Sequence, residues 1–259
     1  MSGLPWRADR AFTGIHRGCS TAAFAVHFRE HFRMALGVHM RRSVQAARVG
    51  KTALRDGIAP LRLARRAIRD FGAVQRTWEL QSLLGVVQRH RPRVVVEIGT
   101  YLGGTLSCWG AVSRPDALIV SVDMPGKIEG FAEPHGRAGN IARIRQRLTP
   151  GQRLVEIVGN SHLPETLDQL RAALAGAAID VLWIDGDHSY EGVSRDTEMY
   201  APLVGAGGLI AFHDIHHSVL FPSFGSPAHW REIKAARRTD EFIGDRSEGS
   251  GMGIGVVFA

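Results

Sequence analysis

Acidic and imidazole side chains cluster in two segments of the chain, each after a run of apolar residues. The segments are residues 180–193, which read DVLWIDGDHSYEGV, and residues 207–214, which read GGLIAFHD. The first contains Asp185 and His188, and the second ends in His213 and Asp214. An imidazole titrates near neutral pH and can remove a proton from a hydroxyl, while a carboxylate can orient the ring or bind a cation. These residue types predict proton-transfer chemistry, with or without a metal ion.

A glycine turn follows an earlier apolar run. Residues 94–105 read VVVEIGTYLGGT, which differs from the closely spaced glycines that admit a pyrophosphate in dinucleotide enzymes. An acid at the end of the strand repels phosphate and attracts an amine. Gly99 and Gly103 would let a ligand lie against the backbone, and Glu97 could accept a hydrogen bond from an ammonium group, directly or through water.

The elements that must position these residues alternate between strands and helices. Apolar runs of strand length occur at residues 93–98, 118–123, 154–158, 181–184 and 209–212, and residues 251–259 predict a last, antiparallel edge strand. Helix candidates lie at residues 74–89, 103–112, 138–148, 164–174, 189–203 and 227–238. Because the runs are continuously apolar, the strands are predicted to be covered on both faces. The alternation predicts a doubly wound α/β fold, whose ligands bind at the carboxyl ends of the strands.

The glycine turn resembles the first motif of the class I S-adenosylmethionine-dependent methyltransferases, which has this spacing. The second strand ends in Asp123, and an acid there binds the two ribose hydroxyls in that family. The turn after the third strand, with Asn160 and Ser161, matches the adenine-side turn of the family. The resemblance covers about residues 74–259 and implies a seven-stranded, Rossmann-like, mostly parallel sheet with S-adenosylmethionine as cofactor. The implied cofactor-binding residues are Glu97, Gly99, Thr100, Gly103, Thr105, Asp123, Asn160, Ser161 and Asp185.

The two acidic segments are similar, more distantly, to those of divalent-metal-dependent O-methyltransferases. In those enzymes an Asp after the fourth strand and two adjacent residues after the fifth hold the metal, and a Lys or His removes the substrate proton. Carried over by position, Asp185, His213 and Asp214 are the metal ligands and His188 is the base. The implied catalytic residues are His188, Asp185 and His213. The implied reaction is methyl transfer to a hydroxyl of a small molecule or sugar, within a glycan, glycolipid or secondary metabolite.

Two points stay open within this resemblance. Magnesium prefers oxygen ligands, so an imidazole from His213 suits manganese, iron or zinc better, or a metal-free site in which His188 and His213 act together. We therefore expect a divalent cation, Mg²⁺ or Mn²⁺, only as a candidate cofactor. Asp187 either orients His188 or caps the following helix together with Ser189.

Composition limits the class of protein. The 259 residues are 44% hydrophobic and 22% charged, which excludes collagen-like, disulfide-scaffold and wholly disordered chains. Cys19 and Cys108 are too few for a disulfide framework and form no metal-type pair. No apolar run approaches the roughly 18 residues of a membrane span, and no secretory signal is evident near the start. We expect a cytoplasmic protein.

Charge divides the chain unevenly. Residues 1–92 contain 17 Lys and Arg against 5 Asp and Glu, whereas residues 93–259 contain 15 against 20. Residues 60–71 predict a basic amphipathic helix, in which an arginine face covers a packed apolar stripe or contacts anionic lipid, nucleic acid or a second subunit. We predict a basic helical or partly disordered extension over residues 1–72 and a methyltransferase domain over residues 73–259.

Two other functions remain in view. The first is an RNA methyltransferase, whose basic region would bind the phosphates of the RNA. The chain lacks an Asn-Pro-Pro-Tyr motif and a catalytic cysteine, which disfavours nucleic acid as the substrate. A non-enzymatic chain would use the basic helix as a membrane or partner anchor. A homo-oligomer is compatible with the sequence, and the acceptor is not specified by it.

Overall fold

A computed structural model describes residues 59–124 and 136–259 of the protein. The described part contains a seven-stranded sheet in the order β3-β2-β1-β4-β5-β7-β6. The strands are β1 Val94–Ile98, β2 Leu118–Asp123, β3 Arg153–Val158, β4 Ile179–Ile184, β5 Val204–His213, β6 Thr239–Phe242 and β7 Ile254–Phe258. The helices are α1 Pro60–Phe71, α2 Thr77–His90, α3 Leu106–Val112, α4 Arg137–Arg145, α5 Pro164–Leu174, α6 Tyr190–Tyr200 and α7 Ser226–Ala236. Cys19 and most of the predicted N-terminal extension lie outside the described residues.

The doubly wound α/β prediction is confirmed. Strands β1 to β5 pair in parallel, and β7 runs antiparallel between β5 and β6. The predicted edge position of the last strand is wrong, because β6 pairs with its outer side. Strand β6 is not predicted by the sequence pattern, because its four residues TDEF are mostly polar and partly exposed and therefore form no apolar run.

Both faces of the sheet are covered, as the continuous apolar runs predict. In β1, Val95 packs into a core shared with α1, α2 and α3, whereas Val94, Val96 and Ile98 pack into a second core on the other face. All five residues of β1 are buried. Trp183 on β4 is fully buried in the first core. The sheet is thus a rigid base whose strand ends can fix side chains precisely.

Helix α1 packs on the first core, although the predicted division assigns it to the extension. Its buried residues are Pro60, Leu63, Ala64, Ala67 and Phe71. Pro60 begins the helix, and Gly72 ends it in the left-handed conformation at φ 71°. The packed apolar stripe predicted for residues 60–71 is therefore confirmed, whereas what the arginine face contacts stays a prediction. Across the described residues, the helices are too short or too polar to cross a bilayer.

Candidate active site

The carboxyl ends of the four parallel strands β1, β2, β4 and β5 lie level with one another. Ile98 at the end of β1 is paired with Val122 of β2 and with Ile184 of β4, and Ile184 is paired with Phe212 of β5. The chain order reverses between β1 and β4, which is where doubly wound folds bind ligands. The predicted site residues therefore lie near the carboxyl ends of strands that reach this edge or in the loops that follow them.

Gly99 holds the first turn against the residue after β4. The backbone N–H of Asp185 donates to the carbonyl of Ile98 at 2.9 Å, and a Cβ built on Gly99 would lie 2.1 Å from the Asp185 carbonyl oxygen. Gly99 also has φ 83°, where side chains are disfavoured. Thus the close approach that Gly99 permits is to the protein's own backbone, whereas its predicted contact with a ligand stays a prediction.

Four predicted residues form one cluster after β4 and β5. The ring of His213 lies between two carboxylates, with Nδ1 at 3.1 Å from Oδ1 of Asp185 and 3.2 Å from Oδ2 of Asp214. Nε2 of His188 lies 3.8 Å from the same Oδ2 of Asp214. Asp214 adopts φ 54°, a left-handed conformation that Asp tolerates better than most residues. The sequence predicted these four residues as one site, and the structure brings all four together.

His213 balances the charge of this cluster. Burial favours its neutral form, but the carboxylates of Asp214 and Asp185 outweigh burial and raise the pKa of His213 well above its usual value. Burial likewise opposes the charged form of Asp214, yet the charge of His213 and, less strongly, of His188 lowers the pKa of Asp214. Both shifts thus favour the ion pair of His213 with the Asp214 carboxylate.

His188 is the accessible imidazole of the cluster. Its side chain is 31% exposed, compared with 4% for His213. The ring contacts Phe224 with centroids 4.4 Å apart, and the backbone carbonyl of His188 accepts a hydrogen bond from Gly225 at 2.7 Å. Its place at the mouth of the cluster suits a group that exchanges a proton with an incoming molecule.

Asp187 has the capping role that the sequence left open. Its Oδ1 accepts from the backbone N–H of Ser189 at 2.8 Å, and Oγ of Ser189 accepts from Gly192 at 2.9 Å at the start of α6. These contacts fix the turn that carries His188.

A divalent cation would find a different set of ligands from the one expected. Among the described residues, the group whose ligand atoms lie within 4.8 Å of one another is Asp185, His188 and Asp214. His213 is engaged by both carboxylates, so its Nδ1 faces hydrogen-bond acceptors. Two carboxylates and an imidazole fit a divalent cation such as Mn²⁺ better than they fit Mg²⁺. The geometry thus favours His188 over His213 as the nitrogen ligand.

One residue that contacts this site, Gln75, is not predicted by the sequence pattern. Nε2 of Gln75, between α1 and α2, donates to Oδ2 of Asp185 at 2.8 Å. The following Arg76 donates to the carbonyl of Ser250 at 3.0 Å, and the buried Glu79 accepts from the backbone of Gly244 at 2.8 Å. No motif or periodicity marks Gln75, because its contact spans 110 residues of sequence.

Glu97 lies beneath the glycine turn and not at its surface. It is fully buried, and its Oε2 accepts a hydrogen bond from Nε1 of Trp109. Burial, with a smaller contribution from Asp185, raises the pKa of Glu97 to about 8, while the Trp109 hydrogen bond opposes the shift. A direct contact between this buried carboxyl and an ammonium group stays a prediction.

The remaining predicted cofactor residues border the same edge of the sheet. Thr100 and Thr105 are buried, and Oγ1 of Thr100 lies 2.6 Å from Oγ of Ser121. Asp123 lies 3.3 Å from Nε of Arg137. Oδ1 of Asn160 accepts from the backbone of His162 at 2.9 Å, and the carbonyl of Ser161 accepts from Tyr200 at 2.7 Å. The structure places all of them on the loops and strand ends that the alternating pattern predicts, while their cofactor roles stay predictions.

Comparison with known proteins shows what this arrangement is similar to. Residues 96–215, which contain the end of β1, the glycine turn and the whole acidic cluster, match a family model described as "Methyltransferase domain". The match covers less than half of the chain. Uncharacterized protein R132 of Acanthamoeba polyphaga mimivirus is 32% identical over 119 residues, which are 46% of this chain and 50% of R132. The chain spans half or less of the length of the two curated relatives it matches.

Solved structures share the fold of this chain. Cofactor-bound Rv0187 from MTB is similar with a TM-score of 0.53 and 17% identity, over 85% of this chain and 98% of that one. The O-methyltransferase TomG from Streptomyces achromogenes, in complex with SAM, gives a TM-score of 0.50 and 16% identity over 78% of this chain and 91% of that one. At this identity the likeness establishes the fold, and the reaction has to be argued from the site.

Proposed function

We propose that the protein is an S-adenosylmethionine-dependent O-methyltransferase that acts on a hydroxyl of a small molecule or sugar. The observation that carries the proposal is the cluster of Asp185, His188, His213 and Asp214, directly beside the glycine turn of a methyltransferase domain. An N-methyltransferase needs no strong base for an amine that is already neutral. An aliphatic hydroxyl does need one, because it does not ionise near neutral pH.

His188 is proposed as the general base. The acceptor oxygen attacks the methyl carbon as the carbon–sulfur bond of the sulfonium breaks, and the hydroxyl proton passes to Nε2 of His188. The imidazolium that forms lies 3.8 Å from the carboxylate of Asp214. The Asp214 carboxylate is thus placed to stabilise the positive charge that develops on His188 during the transfer.

A divalent cation is a second part of the proposal. Asp185, His188 and Asp214 would hold it, and when bound it would lower the pKa of the acceptor hydroxyl. His188 cannot be a metal ligand and the proton acceptor at one time, since both roles use a ring lone pair. The two arrangements therefore predict opposite responses to a chelator.

The test is methyl transfer by the purified chain to a panel of catechols, sugars and glycosides, followed as S-adenosylhomocysteine formation. We expect His188→Ala to lower the rate by about 10² to 10⁴-fold while calorimetry shows unchanged cofactor affinity. His217→Ala, an exposed histidine four residues beyond His213, is the matched control and should keep the parent rate. A His188→Ala variant that keeps the parent rate would exclude it as the base.

A chelator distinguishes the metal-free arrangement, with His188 as the base, from the arrangement in which a cation is bound. Activity that survives EDTA supports the metal-free base, whereas activity lost with EDTA and restored by Mn²⁺ supports the cation site. Absence of transfer to every hydroxyl in the panel, with transfer to RNA instead, would favour the RNA methyltransferase alternative.

A further inference from the structure

Six arginines form one basic surface on the side of the protein that carries α1. This surface, the arginine face, comprises Arg62, Arg65, Arg66 and Arg69 of α1, Arg143 of α4 and Arg147 just after α4. The first four lie three to four residues apart and so share one side of the helix. The opposite side of α1 is buried in the core, so the helix cannot turn its apolar residues toward a lipid bilayer.

The arginine face has little counter-charge among the described residues. Arg69 pairs with Asp70, from its Nε to Oδ1 at 2.7 Å. Arg143 donates to the backbone carbonyl of Asp70 and to Oδ1 of Asn140, each at 3.1 Å. Within residues 59–124 and 136–259, the other four arginines of the face form no ion pair with a carboxylate.

The arginines of α1 lie close to Arg143 of α4 and to Arg147 just after it. Guanidinium carbons of Arg143 and Arg147 lie 4.4 and 4.8 Å from the ring centroid of Phe71, which holds both against the end of α1. Besides burial, the charges of Arg66 and Arg143 lower the pKa of Arg147. Like charges held this close repel one another, and a bound anion would relieve that repulsion.

A cavity of about 210 Å³ opens beside these arginines, between α1, α3 and α4. Arg66 and Arg147 line it from two sides, and Gly110, Ala111 and Ile144 complete much of its wall. Nε of Arg66 is buried and has no hydrogen-bond partner among the described residues. The cavity is apart from the acidic cluster, because α3 leads away from the glycine turn and Gly110 and Ala111 lie near its far end.

We propose that this cavity binds the phosphoryl group of a phosphate-bearing ligand between Arg66 and Arg147, with Arg62, Arg65 and Arg69 along its outer rim. A phosphoryl group offers several acceptor oxygens and up to two negative charges, which matches two guanidinium forks better than a single carboxylate does. Its source is a soluble phosphate ester or the headgroup of an anionic lipid at the membrane surface. Either would attach or regulate the enzyme at a site separate from its chemistry.

The test compares the full chain with the Arg66→Ala/Arg147→Ala variant. Arg89→Ala/Arg231→Ala removes two exposed helix arginines that lie outside the arginine face and is the charge-matched control. One arm titrates inorganic pyrophosphate by calorimetry, and the other floats protein with vesicles of phosphatidylcholine, with or without phosphatidylglycerol. Cofactor affinity and melting temperature, measured on all three proteins, show whether each variant is folded.

We expect at least one probe to bind the parent chain and to lose about tenfold or more in affinity in the first variant but not in the control. Pyrophosphate binding identifies a soluble phosphate as the source, and binding to phosphatidylglycerol vesicles alone identifies a lipid headgroup. The proposal is overturned if neither probe binds, or if the control loses as much affinity. Binding of RNA that both variants weaken equally would likewise overturn it, because general charge attraction would then explain the surface.

Discussion

Gln75 donates a hydrogen bond from Nε2 to Oδ2 of Asp185 at 2.8 Å, and so ties the chain ahead of α2 to the acidic cluster. The other oxygen of the same carboxylate faces Nδ1 of His213. Both oxygens of Asp185 are thus held from opposite sides. Gln75 is a positioning residue, because it acts through Asp185.

Replacing Gln75 by Leu should lower kcat by about tenfold or more, since a hydrogen bond to a charged group contributes about 1.5 to 3 kcal/mol. Cofactor affinity should change little if the effect is confined to the orientation of Asp185. Gln81→Leu, on α2 away from the cluster, is the control. Equal losses in kcat and in cofactor affinity would indicate general damage to the fold instead.

Gly99→Ala should destabilise the protein severely. The new Cβ would lie 2.1 Å from the Asp185 carbonyl oxygen, in a residue that already has φ 83°. Gly176→Ala is the matched control, because Gly176 has φ 84° but nothing within 4 Å of its added Cβ. We expect Gly176→Ala to cost about 1 to 2 kcal/mol in unfolding free energy and Gly99→Ala clearly more. If denaturant titrations give similar losses of unfolding free energy for the two variants, the backbone around Gly99 can move away from the new Cβ at little energetic cost.

Asp123→Asn should weaken S-adenosylmethionine binding by about tenfold or more while the melting temperature changes little, because an amide is a poorer acceptor for a diol than a carboxylate. The control is Glu156→Gln, since Arg137 also pairs with Glu156, at 3.6 Å. Loss of cofactor affinity in both variants would indicate that the effect arises from a changed position of Arg137. Unchanged affinity in Asp123→Asn would contradict the assignment of Asp123 to the ribose hydroxyls.

Glu97 should give stability a pH dependence that the variant Glu97→Gln lacks. Its pKa is raised from 4.5 to about 8 by burial, so the folded state binds more protons than the unfolded state between these values. Stability conferred by the neutral carboxyl is therefore present at low pH and is lost as pH rises through this window, by up to about 1.4 kcal/mol per pH unit.

Denaturation of both proteins from pH 5 to pH 9, values chosen at about the limits of that window, measures the difference. Glu97→Gln keeps an acceptor for Trp109, so it should gain relative to the parent as pH rises. A constant difference across the range would mean that Glu97 is ionised in the folded protein.

The strands that carry the site could be predicted from the sequence, because parallel strands in this fold are buried on both faces and therefore consist of continuous apolar runs. Strand β6 could not be predicted in this way, because its residues Thr239 to Phe242 are partly exposed and mostly polar. The order of residues along the chain placed Asp185, His188, His213 and Asp214 after two such strands, and parallel pairing made their proximity predictable.

The sequence by itself therefore determined the sheet, the edge at which the chemistry lies and the residue types available there. Only the tertiary structure decided the burial, the contacts and the exposure of each of those residues. It placed His213 between two carboxylates, left His188 exposed, buried Glu97 against Trp109 and brought Gln75 to Asp185. Protonation and orientation depend on burial and on contacts between distant segments, and neither burial nor such contacts can be read from local sequence patterns.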